Sequence, residues 1–382
     1  MTGGGRMSAI SRADPRARRG GRGGRGGRRN ASAARAAGIA AGFALDRLVG
    51  DPRRFHPVAG FGLVARAVES RLLRPGRTAN AQRAAGLLFT GVLVGSTAAA
   101  VTAVGRLAGR NRVAAVAWDA AVVWSCLGGS SLLAVARRQG DLLVRGDNAG
   151  SRDLLPWLCG RDPAALGPED LARAVVESVA ENTSDAAVAT LFWAAVAGSP
   201  GAAVHRAANT LDAMVGHRSE RYRHFGTAAA RLDDVLGFLP ARVAGALGVV
   251  CAPTVGGSPA GALRAWLRDA RAHPSPNAGV VEAVCAGALG VRLGGPTPYP
   301  YGVEDRAVLG DGRSVRADDI RRAVLLHDRV QLATAAMAVL GVVVRRAVLG
   351  RRRATKRGWS APPSRGTCTA RGRGVPILRA YC

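Results

Sequence analysis

Charged side chains leave long gaps in this chain, and the gaps set the first expectation. Residues 84–105 hold no charge across 22 positions and are bracketed by Arg83 and Arg106. A helix of that length crosses the hydrocarbon core of a bilayer. Residues 113–136 give 24 positions with one charge, Asp119, between Arg112 and Arg137. These two runs predict membrane-spanning helices, although their high alanine content would also suit buried helices of a soluble all-α protein. Other apolar runs are interrupted. Residues 33–50 contain Arg35, Asp46 and Arg47; 186–204 is broken by Gly198-Ser199-Pro200-Gly201; 243–263 contains Pro253, Gly256, Gly257 and Pro259. Residues 330–344 number only 15, with Arg345 and Arg346 placed to snorkel. Runs broken in this way predict helical hairpins or re-entrant segments rather than straight spans. Arginines flank the first span on both sides, so charge bias does not orient it. The expected fold is all-α: a polytopic helical membrane protein with broken or re-entrant apolar segments, its polar motif loops gathered on one face around a single site.

Composition narrows the class. With 382 residues, 48% hydrophobic and 4% aromatic, the chain can build a large core and is neither collagen-like, a disulfide mini-protein nor wholly disordered. The net charge is +28, but residues 1–30 hold nine Arg against one Asp, and 345–382 hold eleven Lys and Arg with no acid. The two ends thus carry 19 of the 28 net charges. This divides the chain into a disordered Arg/Gly-rich tail (1–32), a helical membrane domain (33–346) and a basic disordered tail (347–382). The GGRGGRGGRR stretch at 20–29 has no Phe or Tyr to stack on bases, so no specific nucleic acid is expected. An anionic face of the lipid bilayer is the expected partner of both tails. The cysteines, Cys126, Cys159, Cys251, Cys285, Cys368 and Cys382, show no CxxC spacing and read as idle thiols. The N-terminus lacks the apolar core of a secretory signal.

Chemistry-bearing residues concentrate in four places. Asp46 to Pro52, followed by His56-Pro57, reads as a helix stop with a capping acid, or as a polar corner containing Asp51 and His56. Glu177, Glu181 and Asp185 fall at i, i+4 and i+8, one stripe of a helix, with no Lys or Arg to offset them. Beside Asn182 and Ser184 they suit a hard cation such as Mg2+; a solvated acidic face is the other reading. From Arg206 to Arg242 come Asn209, Asp212, Arg221, Arg231, Asp233 and Asp234. Asn209 and Asp212 share a face, and the arginines either clamp a phosphate or carboxylate or tie helix ends in ion pairs. Last, His273-Pro274-Ser275-Pro276-Asn277 forms a rigid turn before Glu282, followed by the glycine-rich 287–295 with Arg292 inside it. Walker, nucleophile-elbow, zincin and dinucleotide-binding motifs do not occur.

In this order, GDP…HP (50–57), ESVAENTSD (177–185), NTLDAMVGHRSERYRHFGTAAARLDD (209–234), LPAR (239–242), HPSPNAG (273–279) and GALGVRLGG (287–295) closely resemble the CobD/CbiB family of cobalamin-biosynthesis proteins. The resemblance covers roughly 36–330. Two positions depart from its pattern: Ala186-Ala187 follows Asp185, and His217 stands where an aromatic is usual. The resemblance implies a multi-pass protein of the cell membrane that joins a propionate carboxylate of the corrinoid adenosylcobyric acid to aminopropanol or its phosphate, an acid–amine ligase consuming ATP. A carboxylate is a poor electrophile, so an acyl phosphate would be the simplest intermediate, calling for Mg2+ and positive charge. On that reading Glu177, Glu181, Asp185 and Asp212 hold the metal; Arg221, Arg231, Asp234 and His273 are catalytic, His273 as proton acceptor. Asp51, His56, Arg206, Asn209, Asn277 and Arg292 bind substrate. The other class is a non-catalytic membrane scaffold or corrinoid-binding component, and a transporter is a third.

Overall fold

A computed structural model of the chain describes residues 23–358 except 52–55, 218 and 300–301. It divides into two compact units, Met1–Val343 and Val344–Cys382; of the second, the described part is helical to residue 358. Residues 1–22 and 359–382 of the two basic tails lie outside the description. The helix that opens the described chain begins at Gly23, within the 1–32 stretch, and the one that closes it ends at Gly358.

The fold is all-α, as its hydropathy pattern predicts, with one small hairpin. In chain order the helices are α1 (Gly23–Val49), α2 (Pro57–Leu72), α3 (Ala79–Ala108), α4 (Arg112–Cys126), α5 (Gly129–Val144) and α6 (Asn148–Leu154). Then come α7 (Pro168–Thr183), α8 (Ala189–Ala197), α9 (Ser199–Leu211), α10 (Thr227–Cys251), α11 (Pro259–Asp269) and α12 (Ala278–Leu289). Strands β1 (Leu293–Tyr299) and β2 (Gly302–Leu309) pair antiparallel, and α13 (Ala317–Gly358) ends the described chain. Local chemistry sets the starts. Thr78 caps α3 through the Ala81 N–H, and Asn111 caps α4 through the N–H groups of Val113 and Ala114.

Among the described residues, four stretches are long and apolar enough to cross a membrane: Ala79–Ala108, Arg112–Val144, Thr227–Val255 and Ala317–Arg345. The first two contain the two long apolar runs, 84–105 and 113–136. The other two differ from expectation. The 243–263 run does not fold back on itself at once; α10 begins sixteen residues before it, at Thr227, and continues through a 3-10 turn to Val255. The charges that hid this helix, Asp233, Asp234 and Arg242, lie in its interior, and two of them face other polar groups. The 330–344 run is likewise the interior of a longer helix. By contrast 186–204 is a helical hairpin, α8 turning into α9 at Gly198 with φ +76°, and the Arg35 guanidinium lies where a Cβ on that glycine would stand.

Small residues let the helices approach. Gly38 and Gly42, one turn apart on α1, lie against α4: a Cβ at Gly38 would stand 2.4 Å from Asp119 Cβ, and one at Gly42 would stand 2.8 Å from the Ala120 carbonyl. This is the small-xxx-small pattern by which helices in membranes pack closely. In α10, Pro240 has no N–H to give the Leu236 carbonyl, and the Trp193 indole of α8 donates to that oxygen at 3.0 Å. A proline that would leave an orphan acceptor in a buried helix thereby anchors a neighbour. The main core joins α5, α7, α12, α13 and the hairpin through Leu133, Leu171, Val175, Leu293, Leu309 and Ile320. A second packs α1, α4, α8 and α13. Exposed Leu87, Leu88 and Val92 of α3 and Val235, Phe238 and Leu239 of α10 leave apolar outer surfaces suited to lipid.

Candidate functional site: a buried chain of acids and arginines

α7 carries Glu177 and Glu181 inward, and its continuation carries Asp185. Immediately after α7 the helix widens into a π-turn, Ser184–Val188, and a second π-turn, Asp212–Gly216, follows α9. Such turns insert a residue into a helix and recur where side chains must be re-aimed at a site. Here both contain an acid of the motifs, Asp185 and Asp212.

The stripe serves two neighbourhoods, because eight residues of helix cover about 12 Å. At the Glu177 end lies an arginine-rich centre. Glu177 is buried, its Oε1 accepts the Gly294 N–H at 2.7 Å, and its Oε2 faces Arg161 and the Arg306 Nη1, the latter at 3.4 Å. Burial alone would raise the Glu177 pKa, but Arg161 and Arg306 outweigh it and hold the carboxyl below the usual range. Arg306 reaches in from β2 and donates also to Glu282 Oε1 of α12 at 3.1 Å and to His273 Nε2. Since Arg306 can only donate, His273 faces it with Nε2 as acceptor, while its Nδ1 lies 3.0 Å from the Ser275 backbone nitrogen. Burial first, then Arg306, lowers the His273 pKa to about 4. Glu282 is fully buried; burial first, then Glu177, raises it well above the carboxylate range against the pull of Arg306. Its Oε2 and the Arg161 Nη1 have no hydrogen-bond partner among the described residues.

At the other end lies an aspartate-rich centre. Asp185 Oδ2 accepts from the Asn209 Nδ2 at 3.4 Å, and Asp233, Glu181, Asp212 and Arg206 are its electrostatic neighbours. Burial first, then Asp233, lifts Asp185 far above its ordinary value. Asp212 is raised to about 6 by burial, then by Asp234 and Glu181. Glu181 acts on both groups: it lies near Arg306, Arg161 and Glu177 on one side and influences Asp185 and Asp212 on the other. Arg206 of α9 closes this centre. A Cβ on Gly128 would stand 3.8 Å from an Arg206 nitrogen and 3.9 Å from Asp51 Oδ2, so the corner after α1 faces α9 across Gly128. His56 joins there as the cap of α2, its Nδ1 accepting the Val58 N–H at 3.1 Å, with Asp51 and Arg206 as charged neighbours.

Asn277 sits between the centres as a brace, donating to the Asp234 carbonyl at 2.9 Å and accepting from Arg242 at 2.8 Å. Three sequence-selected arginines lie outside. Arg221 is mostly exposed, pairs with Glu69 at 3.1 Å and lies over the Tyr222 ring. Arg231 is exposed on the first turns of α10. Arg292 is exposed at the entry to the hairpin, on a separate cavity of about 740 Å3 with Arg173 and Gly294. The positive charge of the buried site comes instead from Arg161, Arg306 and Arg206. Arg161 and Arg306 stand in a loop and a strand of ordinary composition, so no spacing in the sequence marks them.

Among the described residues no three His, Cys, Asp or Glu side chains stand as a metal-ligating group. The Glu177 oxygens are taken by Arg161, Arg306 and Gly294. The excess of negative charge lies at Glu181, Asp185, Asp212 and Asp233, where Asp233 Oδ1 is a buried oxygen with no described partner. These are oxygen donors of the kind a hard cation takes, but among the described residues they do not converge as three ligands around one point.

Fold and site together define a class: an all-helical protein with four membrane-length apolar helices and a buried centre where acids and arginines from distant motifs meet. The family model described as CobD/Cbib protein matches residues 39–327. Relatives include a cobalamin biosynthesis protein CobD of Mycobacterium tuberculosis, 53% identical over 312 residues, covering 82% of this chain and 97% of that one. A CobD of Geobacter metallireducens is 45% identical over 67% of this chain and 80% of its own. A cobalamin biosynthesis protein CbiB of Salmonella arizonae is 40% identical over 74% of this chain and 89% of its own. No solved structure matches. The chain belongs to the CobD/CbiB family.

Proposed function

We propose that this protein acts in cobalamin biosynthesis as a multi-pass ligase of the cell membrane. It joins the propionate carboxylate of adenosylcobyric acid to the amine of aminopropanol or its phosphate, consuming ATP. The printed names of the relatives support the pathway. The observation that carries the reaction class is the buried line from Arg161 and Arg306 through Glu181 to Asp185, Asp212 and Arg206. Making an amide from a carboxylate requires cationic donors where negative charge collects on a phosphoryl group, and a proton acceptor for the attacking ammonium. The line supplies both in a water-poor interior.

Glu181, Asp185 and Asp212 are the residues to hold Mg2+, which when bound would neutralise phosphoryl charge. Arg206 stands within reach of the same anion. His273, with its pKa lowered to about 4 and its Nε2 engaged by Arg306, is a weak proton acceptor near neutral pH. His273 thus positions Arg306, while Asn277 braces α10. Asp51 and His56 border the Arg206 corner as substrate contacts. Incubation of the purified protein with adenosylcobyric acid, aminopropanol phosphate and Mg-ATP should give the amide by mass spectrometry. Corrinoid binding without product would instead make the protein a binding or scaffold component.

A further inference from the structure

A cavity of about 520 Å3 opens beside the aspartate-rich centre, between α2, α3, α4 and α9. Its walls are apolar: Phe61, Val101, Val122, Ala203 and Ala207, with Trp118. Two of these walls, α3 and α4, belong to membrane-length apolar stretches. Arg206 is its one charged lining residue, and the same arginine faces Asp51 and Asp185.

The hydrogen-bonding capacity of the lining is one-sided. The hydroxyls of Thr97, Ser125 and Thr210 donate to backbone carbonyls of their own helices, at 2.8, 3.0 and 2.7 Å. The Trp124 indole donates to the Gly50 carbonyl at 2.9 Å. Two buried donors remain without partners among the described residues, Trp118 Nε1 and Arg206 Nε. A buried donor left unpaired costs about 1–3 kcal/mol, so a molecule that fills this space gains by bringing oxygen acceptors on an apolar body. Its volume is that of a small-ligand site and holds part of a large substrate, not the whole.

We infer that this cavity receives the apolar, acceptor-bearing periphery of the carboxylate substrate, with Arg206 at the junction between that body and the reacting end. Arg206 is the one group shared by cavity and centre, and this favours the acid substrate over a membrane lipid, whose head has no need of the aspartates. The inference rests on the proposed ligase reading and adds to it where the substrate body lies: against α3 and α4, on the bilayer side of the acids.

The test uses the full chain in nanodiscs and adenosylcobyric acid as probe. Ala121 is exposed at the cavity rim, so Ala121→Trp can obstruct it without disturbing the core. It should weaken corrinoid binding at least ten-fold while leaving the thermal unfolding profile unchanged. Trp118→Phe, which removes the unpaired donor and keeps the ring, should weaken binding several-fold. If the unmodified protein binds and Ala121→Trp binds equally well, the cavity inference is overturned and the ligase reading stands. Should the unmodified protein bind no corrinoid, both fall. Release of a tightly held acyl lipid by Ala121→Trp, with corrinoid binding unaltered, would assign the cavity to lipid and overturn the inference.

Discussion

The Arg161–Glu177 pair is the residue-scale contact with the most at stake. Both side chains are almost wholly buried, at 4% and 1% exposure. Removing one partner of such a pair strands the other, typically at about 3–5 kcal/mol. Arg161→Met should therefore lower the unfolding temperature strongly, and adding Glu177→Leu should recover much of the loss. Asp212 makes a prediction of opposite sign. Its pKa rises on folding from 3.8 to about 6, so the native state holds the proton more tightly than the unfolded chain. Its contribution to stability is present at low pH and is lost as pH rises through the window from about 4 to 6. In metal-free buffer at pH 7, Asp212→Asn should stabilise by an amount on the order of 1–3 kcal/mol and abolish amide formation. An unchanged melting point or retained turnover would remove Asp212 from its role. The acids were legible in the sequence because each motif is contiguous and carries more negative charge than its neighbours offset. Arg161 and Arg306 were not: they become partners of Glu177 only after a loop and a hairpin separated by more than a hundred residues fold onto α7.

Among the elements, α10 shows how a tertiary contact completes a helix that its sequence interrupts. Pro240 sits inside it, buried, and Trp193 supplies the missing donor to Leu236. Trp193→Phe keeps the ring and removes the bond, and should cost about 1–3 kcal/mol from the orphaned carbonyl, read as a lower midpoint in thermal unfolding in detergent. A phenylalanine variant as stable as the parent would show that the bond is replaceable. Helix–hairpin organisation at 186–204 was readable from Gly198-Ser199-Pro200-Gly201, since that cluster cannot continue a helix. The full lengths of α10 and α13 were not, because charges within membrane-length helices read as boundaries until their partners are known. The π-turns left no mark either: acids at i, i+4 and i+8 are equally regular whether or not the helix widens after them.

At the scale of the whole molecule, the described residues include four apolar helices long enough to cross a membrane. Their exposed Leu and Val side chains predict that the protein stays with the membrane pellet through an alkaline carbonate wash and leaves only with detergent. Release into the supernatant by carbonate would mean that these surfaces are covered by protein instead. The described cysteines, Cys126, Cys159, Cys251 and Cys285, are free thiols, and three of them are buried. Overall architecture was the most legible level, because uncharged runs of membrane length have few alternatives. The meeting of four motifs was readable as a requirement of one site, but which member faced which depended on helix rotation.

That rotation is set by the two widened turns. A π-turn absorbs one residue more than an ordinary α-turn, so excising a single residue from 184–188 would leave the flanking helices in phase and re-aim the side chains of the turn itself, Asp185 among them. The helix would regain ordinary geometry, and Asp185 would turn relative to Asn209. The alignment of the acids is thus written in chain length as well as in side-chain identity. Shortening the chain by one alanine there should abolish the amide formation proposed above, read by mass spectrometry, without removing any carboxylate.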